Sequence, residues 1–207
     1  GQTASYATAI LNLLGYEAQN LKFGMCGVTT DETINGTNKW SSQIAEDEFA
    51  ASLTSDATTT TTEYEFPVLT TGKETAEEII MEAAKAGTAS WGKIAAADVW
   101  ANPGNYFIVN YWPQAEYENP GHIPGAICFP PKTSLKSDEM LKYLPTDKTI
   151  VIYCYTGQTS AQMTAYLQLL GYDAKSLLYG MNGFAYGSMS KSKYSAPTTD
   201  YSSIIVK

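Results

Sequence analysis

The feature that most constrains the fold of this chain is an internal repeat. Residues 1–28 and 157–184 align without a gap, and about half of the aligned positions are identical. In each copy apolar residues recur at helical spacing, a glycine follows them, and a short apolar segment comes next. A repeat of this length indicates that one supersecondary unit occurs twice. Each copy therefore predicts a helix, a turn and a strand.

The two predicted helices carry apolar stripes of similar composition. The first stripe consists of Ala7, Ile10, Leu11 and Leu14. The second stripe consists of Ala161, Thr164, Ala165, Leu167 and Leu170. Gly15 and Gly171 follow the stripes, as a left-handed helix end prefers. Residues 174–178 then predict a short strand.

Strands and helices also alternate in the region before the second copy. Apolar runs predict strands at Tyr106–Asn110, Thr149–Tyr153 and 126–129, and residues 94–100 predict a short strand with a turn of helix. Amphipathic patterns predict helices over residues 74–86, ended by Gly87, and over residues 138–144. This alternation predicts an α/β fold with a mostly parallel sheet covered on both faces.

A cysteine stands where the last of these strands runs into the helix of the second copy. Cys154 follows the strand, and the loop of Tyr155, Thr156, Gly157, Gln158, Thr159 and Ser160 leads into the helix. Such a loop directs backbone N–H groups inward, and the helix dipole adds positive potential. We therefore expect the pKa of the Cys154 thiol to fall. Gly157 permits the turn, and Thr159 or Ser160 is suited to cap the helix. The alternative is a buried structural cysteine.

Several segments around this loop resemble the rhodanese-homology family. Residues 121–126 read Gly-His-Ile-Pro-Gly-Ala, which is similar to the family's characteristic segment, and the acidic-aromatic pair Glu116-Tyr117 lies just upstream. The loop of residues 154–160 resembles the family's active loop in length and glycine placement. Leu-Gly-Tyr at 170–172, followed by Gly-Met at 180–181, resembles its closing pattern.

This resemblance implies a rhodanese-like three-layer sandwich, with a central mostly parallel sheet and helices on both faces. It implies that Cys154 accepts sulfane sulfur as a persulfide and passes it to an acceptor, with residues 155–160 as the backbone cradle. The partners would be a small sulfur donor (a persulfide, polysulfide or thiosulfate) and a thiol or cyanide acceptor. We expect no cofactor and no metal.

The repeat and the resemblance together suggest how the chain is organised. We expect residues 1–28 to be the C-terminal part of a first rhodanese-like domain. Its missing part would be disordered, cleaved or supplied by another chain. Residues 29–73, with five consecutive threonines at 58–62, predict a polar linker. Residues 74–190 predict a complete second domain, and residues 191–207 a C-terminal tail.

The chain departs from the family by lacking arginine, since all 13 of its basic residues are lysine. Rhodanese loops often carry arginine one and five positions after the cysteine, where this chain has Tyr155 and Thr159. Asn110 and Trp112 stand where the family has an acid and an arginine, and we expect both to lie at the pocket. Without arginine's bidentate grip, a dianion such as thiosulfate should bind less well than a persulfide or polysulfide.

Composition excludes several other functions. A net charge of -8 without arginine argues against nucleic-acid binding and against an anionic membrane surface. No apolar run is long enough for a transmembrane segment. The loop also argues against a cysteine phosphatase, which needs one more loop residue and an arginine to hold the phosphoryl group.

The single histidine, His122, is expected to fix a turn. Cys128 is expected in the core, and Cys26 exposed but not activated.

Two functions of different classes remain in view. The first is a sulfurtransferase or persulfide carrier that uses Cys154, and we favour it because the cysteine and its loop are present. The second is a catalytically weak or inactive binding or assembly module in an extracytoplasmic complex, suggested by the missing arginines. Low charge, the threonine-rich linker and many tyrosines favour an exported protein, periplasmic or extracellular, with the cytoplasm as the alternative.

Overall fold

The fold centres on a parallel sheet of five strands in the order β1-β5-β4-β2-β3. The computed structural model describes residues 1–36, 39–44 and 47–205. The strands are β1 (Lys93–Ile94), β2 (Tyr106–Asn110), β3 (Ile127–Cys128), β4 (Thr149–Tyr153) and β5 (Ala174–Leu177). Neighbouring strands all run parallel. The predicted α/β class and its parallel sheet are confirmed.

The helices come from both repeat copies and from the region between them. They are α1 (Gln2–Leu13), α2 (Glu32–Asn35), α3 (Lys39–Gln43), α4 (Ala76–Ala89), α5 (Ala96–Ala101), α6 (Gln114–Glu118) and α7 (Gln158–Leu169). Single 3-10 turns occur at Gly24–Gly27, Ala50–Ser52, Pro103–Asn105, Met140–Tyr143, Gly180–Gly183 and Ser202–Ile204. Among the described residues, no helix has the length and apolarity needed to cross a bilayer.

Strand β4 forms the middle of the core because both of its faces are buried. Ile150 and Ile152 enter one apolar cluster, which also contains Leu167 of α7. Val151 and Tyr153 alternate to the other face, as successive residues of a strand must. Cys154 continues into that second cluster. The fold therefore delivers the cysteine from the most buried strand of the sheet.

The helix of the first copy packs against the helix of the second. Tyr6 and Ile10 of α1 contact a cluster that includes Ala161 and Ala165 of α7 and Ala84 of α4. The Tyr6 hydroxyl donates to the Gly87 carbonyl at 2.9 Å. The first copy is therefore part of the packed structure, on the outer side of α7.

Three local predictions were wrong. Helix α4 continues through Gly87 to Ala89, since a helix interior tolerates glycine at a cost of about 1 kcal/mol. The helix predicted at 138–144 is only the 3-10 turn Met140–Tyr143, because Glu139 adopts φ -112° and ψ -130°. The strand predicted in the first copy is absent, because no described strand lies beside residues 18–21 to pair with it.

The polar segment after the first copy lies along the domain. Thr54 and His122 exchange two backbone hydrogen bonds, at 3.0 and 2.9 Å. Near the C-terminus, the Asp200 carboxylate accepts a hydrogen bond from the Thr29 hydroxyl at 2.7 Å, and this bond helps to hold its pKa well below the usual range. Residues 37–38, 45–46 and 206–207 lie outside the described residues. The predicted division into domains, linker and tail stays a prediction.

Candidate functional site

The loop after β4 is shaped by close approaches of the backbone at two glycines. Gly157 ends the loop at φ 73°, the left-handed conformation that glycine adopts without strain. A Cβ atom on Gly157 would lie 2.9 Å from the Tyr179 backbone nitrogen and closer still to Oε1 of Gln2. A Cβ atom on Gly180 would lie 2.7 Å from the Gly157 nitrogen and closer still to the Cys154 carbonyl oxygen. Two glycines thus allow the loop to pack tightly.

The Cys154 thiol is buried beneath this loop, at the start of α7. Its side chain is 2% exposed. The Ser160 backbone N–H donates to Cys154 Sγ at 3.4 Å. Backbone N–H groups at a helix N-terminus favour negative charge on a group that they contact. The loop therefore places the sulfur where a helix N-terminus supports an anion.

A chain of hydroxyl groups continues from the thiol into the core. Cys154 Sγ lies 3.6 Å from Ser160 Oγ, and the thiol donates in that pair. Ser160 Oγ lies 2.8 Å from Ser176 Oγ, which donates to the Gly157 carbonyl at 3.2 Å. Ser176 lies on β5, and the sequence did not predict its contact with Ser160. Its signal was the inward-facing position of a small polar residue in an apolar strand.

The predicted hydroxyl cap at the start of α7 is wrong. Gly157 is the N-cap residue and has no side chain to offer, and no side-chain cap bond forms. The Thr159 side chain is exposed. Ser160 is fully buried and its hydroxyl faces Cys154 and Ser176 instead. The residue expected to cap the helix therefore contacts the thiol.

The two predicted pocket residues occupy different places. Trp112 is 1% exposed and stacks on the Tyr155 ring, with 4.7 Å between ring centres. It belongs to the apolar cluster that contains Cys154. Asn110 is fully buried, and its Nδ2 donates to the Tyr153 hydroxyl at 2.8 Å. Trp112 thus lies beside the site, whereas the Asn110 side chain is hydrogen-bonded to the Tyr153 hydroxyl.

The site is bordered by two cavities of different character. The first, of about 10 Å³, is near the lower limit for one water molecule and is lined by Trp112, Glu116, Tyr155, Met181 and neighbouring residues. The second, of about 240 Å³, is polar and lies beside the loop. Its lining combines loop residues Tyr155, Thr156, Gln158 and Thr159 with Ser5, Asn20 and Lys22 of the first copy.

Lysine supplies the positive charge near the loop. Lys22 is the cation in the lining of the larger cavity. Lys191 forms an ion pair with Glu116, and its Nζ lies 5.4 Å from the centre of the Tyr155 ring. Lys22 was missed from the sequence because it lies in the first copy, far along the chain from Cys154.

The remaining histidine and cysteines have structural surroundings. His122 is fully buried, with Nδ1 2.8 Å from the Tyr117 carbonyl and its ring stacked on that of Tyr117. Cys128 is buried, and burial together with the nearby Glu118 carboxylate raises its pKa to about 11. Cys26 was expected to be exposed, but it is buried among aromatic residues. Within the described ranges, no cluster of three metal-ligating side chains occurs.

We expect Tyr153→Phe to lower the free energy of unfolding by about 1–3 kcal/mol, because it leaves two buried donors without an acceptor. These donors are Asn110 Nδ2 and the Ile123 backbone N–H, at 2.8 and 3.1 Å from the hydroxyl. Denaturant unfolding measures the effect. Tyr16→Phe is the control, since Tyr16 is exposed. Equal stability of the two variants would contradict this role of the hydroxyl.

A parallel α/β sheet that carries a cysteine into the loop before a helix defines a class of proteins with a thiol at a helix N-terminus. Residues 95–186 match the family model of the rhodanese-like domain. This part of the chain is therefore a rhodanese-like domain, and the resemblance read from the sequence is confirmed. None of the curated proteins compared with the chain matches it.

Several solved structures are similar to part of the chain. A rhodanese-related protein from Thermoplasma volcanium is 25% identical, with a TM-score of 0.38, over 44% of this chain and 87% of that one. A rhodanese-like domain protein from Staphylococcus aureus is 25% identical, with a TM-score of 0.40, over 49% and 99%. A protein from Staphylococcus saprophyticus is 28% identical, with a TM-score of 0.39, over 44% and 89%.

Proposed function

We propose that the chain is a sulfurtransferase or persulfide carrier that moves sulfane sulfur through a persulfide on Cys154. The observation that carries this proposal is the contact between Cys154 Sγ and the Ser160 N–H at the first turn of α7. A thiolate is the nucleophile in sulfur exchange, and a helix N-terminus favours it. The surrounding rhodanese-like domain is commonly associated with sulfurtransferase activity.

The proposed reaction has two displacement steps without net oxidation. The Cys154 thiolate attacks the sulfane sulfur of the donor, a new S–S bond forms, and the donor's S–S bond breaks. The donor leaves as a thiolate, or as sulfite when it is thiosulfate. A thiol or cyanide then attacks the outer sulfur, which leaves with the acceptor, and the Cys154 thiolate is restored. The Ser160 backbone N–H donates to the thiolate between the steps.

We further propose that persulfides and polysulfides are better donors than thiosulfate. The loop carries no cation of its own, since Tyr155 and Thr159 occupy positions where an arginine would hold a dianion. Lys22 at the adjoining cavity is a single, exposed point charge. A donor with one negative charge or none needs less positive charge from this loop than a dianion such as thiosulfate does.

We expect Thr159→Arg to raise kcat/KM for thiosulfate by about 10-fold to 100-fold, which corresponds to one charge-assisted hydrogen bond. The Thr159 side chain is exposed, so the larger residue has room. Thr159→Gln is the neutral control. Initial rates with thiosulfate and with polysulfide measure the change. An equal gain from the glutamine variant would contradict the argument from charge.

A second candidate is a binding or assembly module that performs no turnover. This second candidate is favoured by the burial of Cys154, which is 2% exposed and lies beside a cavity of about 10 Å³. The two candidates differ in whether Cys154 reacts at all with a sulfur donor.

Mass spectrometry after exposure to thiosulfate, polysulfide and a small persulfide separates the two candidates. The proposal predicts that one sulfur atom, about 32 Da, is added to the peptide that contains Cys154. Cys128 serves as an internal control, because its raised pKa keeps it a thiol at neutral pH. Absence of the adduct with every donor would support the binding module and overturn the sulfurtransferase.

A further inference from the structure

The first side chain of α1 reaches from the first repeat copy into the second. Gln2 begins α1 and is 7% exposed. Its Oε1 accepts a hydrogen bond from the Tyr179 backbone N–H at 2.8 Å. Tyr179 comes directly before the 3-10 turn Gly180–Gly183 and has a left-handed φ of 63°. The first copy therefore supplies the acceptor for a backbone donor at the start of this turn.

The same side chain packs on the loop of Cys154. A Cβ atom on Gly157 would lie 3.0 Å from Cδ of Gln2 and 2.9 Å from the Tyr179 nitrogen. Since ordinary Cβ contacts are longer, the Gln2 amide lies directly against the Gly157 backbone. Gln2 therefore contacts the loop and the residue before the turn at the same time.

The 3-10 turn is hydrogen-bonded to the backbone that carries the thiol. The Met181 N–H donates to the Cys154 carbonyl at 3.0 Å, and the Asn182 N–H donates to the Tyr155 carbonyl at 3.1 Å. Asn182 Nδ2 also donates to the Tyr155 carbonyl, at 2.6 Å. A displacement of the turn would therefore move the backbone of Cys154 and of the residue that follows it.

The contact between the two copies is reciprocal. Gln2 aligns with Gln158 in the repeat, and Gly1 aligns with Gly157. A Cβ atom on Gly1 would lie 3.1 Å from Cδ of Gln158, which matches the contact of Gly157 with Gln2. Such an exchange of equivalent contacts is typical of two like surfaces related by a two-fold axis. The place of Gln2 thus follows from the packing of α1 on α7.

We propose that Gln2 is a positioning residue for the Cys154 loop, so that the first repeat copy contributes to the sulfur-transfer site. This inference rests on the proposed function, because it concerns the same thiol. Gln2 acts through the Tyr179 N–H and the turn that follows it. Its effect is to keep the loop in place while sulfur arrives at Cys154 and leaves it.

Two substitutions of Gln2 separate the role of its oxygen from packing. Methionine has a similar length without the amide oxygen, whereas glutamate keeps an oxygen that can accept the Tyr179 N–H. Sulfur transfer from polysulfide to cyanide is followed to high pH, where the thiolate is fully formed and a changed pKa no longer affects the limiting rate. We expect Gln2→Met to lower that rate by about 10-fold and Gln2→Glu to keep it within about threefold.

Tyr6→Phe is the matched control for loss of a contact between the copies. The Tyr6 hydroxyl donates to the Gly87 carbonyl and to Gln168 Oε1, at the end of α7 far from the loop. We expect Tyr6→Phe to lower stability and to leave the limiting rate unchanged. An unchanged rate in Gln2→Met would overturn the proposal. An equal loss of rate in Tyr6→Phe or in Gln2→Glu would also overturn it.

Amide hydrogen exchange distinguishes a failure of this inference from a failure of the proposed function. We expect the Met181 and Asn182 amides to exchange about 10-fold faster in Gln2→Met than in the original chain, because their bonds to the loop open more often. If the chain formed no persulfide with any donor and exchange still increased, the proposed function would fail and the effect of Gln2 on the loop would stand. Unchanged exchange at both amides would overturn the inference whatever the activity.

Discussion

Replacement of Cys154 by serine is expected to lower sulfur transfer from polysulfide to cyanide by at least about 1,000-fold, as is typical for loss of a nucleophile. Serine keeps the size of the side chain and a hydrogen-bonding atom near the Ser160 N–H, so the loop should retain its shape. It removes the thiolate, and a hydroxyl does not form a persulfide. The measurement is the initial rate of thiocyanate formation.

The other two cysteines provide the controls for this experiment. Cys26 is buried in a cluster that does not contain Cys154, and Cys128 is buried on β3, where its thiol donates to the Trp112 carbonyl. We expect Cys26→Ser and Cys128→Ser to keep kcat/KM within about threefold when the variants are folded, as near-UV circular dichroism can verify. If Cys154→Ser transferred sulfur as fast as these variants, Cys154 would have no part in turnover.

Replacement of Gly180 by alanine is expected to destabilise the fold by about 3 kcal/mol or more and to lower kcat/KM by about 100-fold. Its φ of 53° costs an L-residue about 1–2 kcal/mol. The new Cβ atom would also meet the Cys154 carbonyl oxygen and lie 2.7 Å from the Gly157 nitrogen, so loop backbone must move. A displacement of about 1 Å near a reacting atom can cost 100-fold in rate.

Gly125 offers a control that separates backbone strain from this collision. It has φ 80°, but a Cβ atom added there would meet nothing within 4 Å. We expect Gly125→Ala to cost about 1–2 kcal/mol and to leave the rate unchanged. Unfolding in denaturant and initial rates are measured for both variants. Equal losses of stability and of rate in Gly180→Ala and Gly125→Ala would show that the close approach of Gly180 to the loop is unimportant.

Strands β2 and β4 could be predicted from the sequence because each is a nearly continuous apolar run. Tyr106–Asn110 and Thr149–Tyr153 were read with the bounds that the structure has. Both faces of each of these strands are buried. Each side chain must therefore be apolar or have a hydrogen-bond partner. The position of Cys154 follows from the end of β4, so the location of the loop could also be predicted.

The details of the loop could not be predicted because they depend on residues distant in the chain. The contact between Ser160 and Ser176 requires β5 to lie beside β4. Lys22 reaches the loop only because α1 packs on α7. The strand expected in the first copy failed for the same reason, since a strand forms only when a neighbour offers its ladder groups.

The central claim is that sulfur passes through a persulfide on Cys154, and a single-turnover experiment tests it most directly. The protein is first loaded with polysulfide, freed of excess donor and shown to carry one added sulfur atom of about 32 Da. Cyanide is then added, and thiocyanate is measured alongside the mass of the Cys154 peptide. We predict that one thiocyanate appears per persulfide and that the added mass disappears at the same rate. Thiocyanate formation while the added mass remains on Cys154 would contradict the claim.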